Sequence, residues 1–117
     1  MKSLHSEKNG IAYIAVRGRI GKPINAEFQK TIREILKSDT RRLLFDLSSL
    51  EYLRSSDLRL ILNAVKEIQR KSGRVVFCCL KGYVKEVFAV TCLDSMIAVR
   101  DSVESGRKEL LRGLKAA

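Results

Sequence analysis

Apolar positions along this chain alternate between two spacings. Ile11-Ala12-Tyr13-Ile14-Ala15-Val16 is a short apolar run that closes at Gly18, which predicts a buried strand. A turn or short second strand is expected at Arg19-Ile20-Gly21. Pro23 suits a helix start. Beyond it Ile24, Phe28, Ile32, Ile35 and Leu36 recur at helical spacing, which predicts a helix to about Lys37. Glu27, Lys30, Arg33 and Glu34 fall on its solvated side. Arg41 to Leu47 reads as a second strand, nearly continuous in apolar residues and so covered by packed layers. Ser55 to about Ser72 reads as a helix with Leu58, Ile61, Leu62, Val65 and Ile68 on one face, stopped by Gly73. Arg74 to Leu80 is a third strand, and Val84, Val87, Phe88 and Cys92 form the apolar side of a short helix. Met96 to Val99 is a last short strand. Asp101 or Ser102 then caps a helix carrying Val103, Leu110, Leu111 and Leu114.

Strand and helix thus alternate four times, the order of an α/β domain with largely parallel pairing and right-handed crossovers. A length of 117 residues, with 45% hydrophobic and 31% charged positions, sets the expectation of one globular domain over residues 1–117. No apolar run approaches the roughly 20 residues of a membrane span. Met1 to Lys8 lacks the apolar stretch of a secretion signal, so a cytoplasmic location is expected.

Three cysteines without a CxxC spacing fit a reducing compartment. Cys78 and Cys79, adjacent on a strand, are expected to face opposite ways and so not to share a metal; all three cysteines are expected as small buried hydrophobes. His5 is expected at the surface. The net charge of +10 admits nucleic acid, an anionic membrane surface or an acidic protein as a partner. Its basic pairs, such as Arg41-Arg42 and Arg70-Lys71, are scattered, and few aromatics interleave with them. That pattern argues against nucleic-acid binding.

Enzyme chemistry finds little purchase. Gly18 and Gly21 stand outside any phosphate-binding loop, and His5 is the sole histidine, which leaves a Ser-His-Asp triad without a credible base. No catalytic residue, cofactor or metal site is expected. Asp46, at the end of a buried strand, is read as a residue that bonds loop amides. The serine pair Ser55-Ser56 opens a helix, where a side chain can cap and where a phosphate is welcome.

The ordered set of Leu43 to Leu47 with Asp46, Ser48-Ser49-Leu50, Tyr52-Leu53, Ser55-Ser56, an apolar helix, and Gly73 before Val75 to Leu80 resembles the STAS domain family of bacterial anti-sigma-factor antagonists. Val84-Lys85-Glu86-Val87-Phe88, Thr91-Cys92-Leu93-Asp94 and Asp101-Ser102-Val103-Glu104 extend the resemblance over the whole chain. It implies a single STAS-like α/β domain with a mixed, mostly parallel four- to five-stranded sheet and helices packed against it. It also implies an anti-sigma factor with a histidine-kinase-like ATPase domain as partner, a phosphoacceptor at Ser55 and a serine phosphatase that resets it. Arg54, Ser55, Ser56, Asp57, Arg59 and Asp46 become the candidate partner-binding residues.

The family loop reads Asp-Ser-Ser/Thr-Gly-Leu-Gly, and this chain departs from it. Arg54 replaces the aspartate, while Asp57 and Arg59 replace the two glycines. Asp57 would repel a phosphate on Ser55, whereas Arg54 and Arg59 would pair with one. Two other roles therefore stay open. One is an accessory subunit of a lipid-transporting ABC system, with Ser55 or Ser56 docking on the ATPase subunit. The other is a scaffold of the same fold that binds without phosphorylation.

Overall fold

The computed structural model describes residues 4–8, 10–18 and 26–112, with side chains from residue 10 to 18 and from 28 onward. The expected turn at Arg19 to Gly21, the helix start at Pro23 and Ile24, and the side chains of His5, Glu27 and Leu114 lie outside this description. Five strands, β1 (Leu4–Lys8), β2 (Ile11–Ala15), β3 (Arg42–Asp46), β4 (Arg74–Cys78) and β5 (Ala98–Arg100), form one sheet in the order of the chain. β1 pairs antiparallel to β2, and every other pairing is parallel.

Helices α1 (Ala26–Lys37), α2 (Ser55–Arg70), α3 (Gly82–Val90) and α4 (Leu93–Met96) lie in the crossovers, and α5 (Val103–Leu111) follows the last strand. A parallel sheet built in chain order with crossovers of one hand stacks all its crossover helices on the same face. That is the arrangement here. Phe28 of α1, Ile61, Val65 and Ile68 of α2 and Phe88 of α3 bury against Leu43, Phe45, Val75 and Phe77 of the sheet. Phe45 stacks on Phe77 at 5.1 Å between centroids, and Phe88 meets Phe77 edge-on at the same separation. The strand residues in between, Ile11, Leu44, Val76 and Cys78, face the other way and are covered by Leu110 of α5. Both faces of β3 and β4 are therefore dry, which accounts for their unbroken apolar runs.

The expected elements are present with three adjustments. The structure adds β1, a strand of Leu-His-Ser-Glu-Lys. β4 ends at Cys78 and does not reach Leu80, because Cys79 turns into the left-handed region at φ 67°. The last strand begins at Ala98, since α4 takes Met96. The cysteine expectation is corrected as well: Cys78 is buried, but Cys79 is half-buried and Cys92 is exposed.

Candidate functional site

The segment from Leu47 to Arg54 leaves β3 and enters α2, and it is held at several points. Leu47 N–H donates to Cys78 O at 3.0 Å, Leu50 N–H donates to Leu47 O at 3.0 Å, and Glu51 N–H donates to Gly18 O at 2.8 Å. The last bond belongs to a parallel bridge between Gly18 and Leu50 that extends the β2–β3 pairing into the loop. Leu50 and Leu53 are buried beneath it. Tyr52 stacks on Tyr83 of α3 at 5.6 Å, tying the loop to the neighbouring helix.

The start of α2 differs from a serine-capped helix. Arg54 is the N-cap, and Ser55 is already inside the first turn. The capping acceptor is Asp57, whose Oδ2 takes the Arg54 backbone N–H at 3.1 Å. The same carboxylate also receives Arg54 Nε at 3.0 Å and Nη2 at 2.9 Å. Asp57 is only 1% exposed, so the residue that replaces a family glycine points into the protein and not toward a partner. Arg54 is spent on it. Ser55 and Ser56 are exposed, and their hydroxyls make no hydrogen bond among the described residues. Arg59 is exposed and unpaired among the described residues. It stands one helical turn after Ser55, on the same face of α2.

Asp46 belongs to a different neighbourhood. It is buried on the α5 face, where Tyr13 OH donates to Oδ2 at 2.5 Å and Ser48 N–H donates to Oδ1 at 3.0 Å. Burial pushes its carboxyl up, but the hydrogen bonds from Tyr13 and Ser48 outweigh that and leave it below the usual range. Burial first, and then the carboxylate, push the Tyr13 hydroxyl above its ordinary value. Cys78 and Cys79 join this group. Their sulfurs and the Asp46 carboxylate lie within 4.8 Å of one another, which overturns the expectation that the two cysteines face apart. The sequence signal for this was absent, because it depends on the left-handed backbone at Cys79. Farther along α5, Glu109 gathers Arg74, Arg100 and Arg112 at 2.7–2.9 Å.

A known family model, the STAS domain, matches residues 5–106 of this chain. The chain belongs to the STAS domain family. BtrV of Bordetella bronchiseptica, a candidate anti-sigma factor antagonist, is 27% identical over 105 residues, covering 90% of each chain. The structure of TM1081 from Thermotoga maritima, another candidate antagonist, superposes with a TM-score of 0.80 at 20% identity, covering 94% of this chain and 95% of the other. The anti-sigma factor antagonist SpoIIAA in its unphosphorylated form superposes with a TM-score of 0.68 at 15% identity, covering 95% and 98%. At these identities the two structures speak for the fold. Among the described residues no helix is long and apolar enough to cross a membrane.

Proposed function

We propose that this STAS domain is a cytoplasmic anti-sigma-factor antagonist. It binds an anti-sigma factor that carries a histidine-kinase-like ATPase domain and so frees the sigma factor. Phosphorylation of Ser55 by that partner releases the complex, and a serine phosphatase restores it. The observation that carries this reading is the state of Ser55: exposed, with a hydroxyl that makes no hydrogen bond among the described residues, in the first turn of α2 directly after a loop bonded to β2 and β4. A kinase can reach such a hydroxyl without unfolding anything.

The docking face runs from Ser55, Ser56 and Arg59 across the Tyr52–Tyr83 stack onto α3. There Tyr83, Val87 and Val90 line a shallow apolar depression of about 430 Å³. A phosphate on Ser55 adds about two negative charges beside this face. The first-turn amides of α2 and the guanidinium of Arg59 can receive it, so the fold persists while the partner meets an unmatched, strongly hydrated group.

The test is affinity capture from the native cell extract with the unmodified chain and with Ser55→Glu. The unmodified chain and Ser55→Ala should both retain a small ATPase kinase, and Ser55→Glu should bind it at least about tenfold more weakly, a loss of about 1.4 kcal/mol. Equal binding of Ser55→Glu would remove the switch. Recovery of an ABC transporter ATPase subunit in place of a kinase would move the function to lipid transport, with Ser55 as a docking contact.

A further inference from the structure

The carboxylate and thiols gathered at the ends of β3 and β4 have no part in the docking face. Asp46 and Cys78 are register partners on adjacent strands, and both point to the α5 side. Cys79 leaves β4 at φ 67°, which brings its sulfur back beside its neighbour. The three potential ligand atoms lie within 4.8 Å of one another. We propose that Asp46, Cys78 and Cys79 form a binding site for a thiophilic divalent cation of the zinc and cadmium class.

Two thiols, each releasing its proton to solvent as the ion binds, and one carboxylate are the donors such borderline-soft ions take. A tetrahedral zinc holds sulfur at about 2.3 Å, which sets neighbouring ligands roughly 3.8 Å apart. With the ligand atoms within 4.8 Å of one another, side-chain rotations that move them by up to about an ångström close the triangle to that size. Three protein ligands leave a fourth position for water on the half-exposed side of Cys79.

The surroundings resemble the outer shell of a metal site. Tyr13 OH and Ser48 N–H each hold one oxygen of Asp46, at 2.5 and 3.0 Å, and fix its orientation, and the bond that Cys79 makes to the same carboxylate is the one an ion between them would replace. The Val103 amide, in the first turn of the nine-residue α5, faces the Cys79 sulfur. The Arg107 guanidinium lies 5.9 Å from the centroid of the Tyr13 ring. A carboxylate and two thiolates around a divalent ion leave one excess negative charge, which the helix terminus and Arg107 offset. The ion would bridge β3 with the segment leaving β4, and so stabilise the folded chain by mass action.

The experiment is a titration of the fully reduced chain with cadmium alone, followed by the ultraviolet thiolate-to-cadmium charge-transfer absorption. The expected result is saturation at one ion per chain and a rise in Tm. Cys79→Gly should abolish both, and glycine suits the left-handed backbone at that position, so the fold is retained. Cys92→Ser should change neither, because Cys92 is exposed beyond α3. Tyr13→Phe, which removes only a bond that orients Asp46, should weaken binding about 10–100-fold. No absorption at saturating cadmium, or absorption undiminished in Cys79→Gly, would overturn the site.

Discussion

At the scale of single residues, the head of α2 shows how a departure from a family pattern is absorbed. A buried aspartate is tolerable only when its lone pairs are filled, and Asp57 fills them with the backbone and guanidinium of Arg54. Asp57→Ala should therefore lose a cap, while the half-exposed Arg54 guanidinium turns to water, costing about 0.5–2 kcal/mol in urea unfolding. A cost below about 0.3 kcal/mol would mean that the pair adds nothing. The sequence identified the right segment but assigned the cap to a serine, because serine is the commoner capping residue and arginine is not one. A similar exchange occurs where α2 ends. The left-handed residue is Ser72, at φ 64°, and Gly73 is needed for space: a Cβ there would sit 2.5 Å from Arg41 O and 2.7 Å from Ile68 O. Both oxygens are backbone and cannot step aside. Gly73→Ala should destabilise by about 1–3 kcal/mol, while Ser72→Gly should be neutral or stabilising by up to about 1 kcal/mol. Thermal melts of the two variants, moving in opposite directions, check the assignment.

Among the elements, those buried on both faces were legible from hydrophobic spacing, and those that were not had a physical reason to be silent. β3 and β4 announce themselves because every residue after the first in each is buried. β1 does not, because an antiparallel edge strand needs backbone partners more than apolar side chains, and Leu-His-Ser-Glu-Lys supplies only the former. α5 was legible as a helix, but its fastening was not. Glu109 draws Arg74 of β4, Arg100 of β5 and Arg112 together across the sheet. Hydrogen bonds from Arg112 and then Arg100 hold its carboxyl down at about 2, against an ordinary 4.5. A carboxylate with a depressed pKa stabilises the folded state fully above its unfolded value and loses that contribution as pH falls toward the folded one. The chain should melt above Glu109→Gln by a constant margin near neutral pH. The margin should shrink below about 4.5 and vanish near 2. An unchanged margin between about pH 6 and about pH 3 would show that the carboxylate charge does not fasten α5.

For the whole molecule, the net charge of +10 and the single phosphate of the proposed switch act over different distances. Steering depends on the summed field, and that field is screened within about 10 Å at 0.1 M salt. One phosphate changes the total by about two charges, leaving it near +8, so the attraction toward an acidic partner survives phosphorylation almost intact. What changes is the contact itself, since the group sits at the head of α2, on the proposed docking face. The two effects therefore separate kinetically. Association of the unmodified chain with its partner should slow markedly from low to physiological salt, and Ser55→Glu should show nearly the same slope. The loss of affinity in Ser55→Glu should appear as faster dissociation, because a misfit at contact distance is felt after encounter. Stopped-flow association at several salt concentrations, paired with dissociation by dilution, measures both. A mutant that associates as slowly as it is weakened would place the switch in long-range repulsion. That outcome would require the partner surface to concentrate its negative charge opposite Ser55.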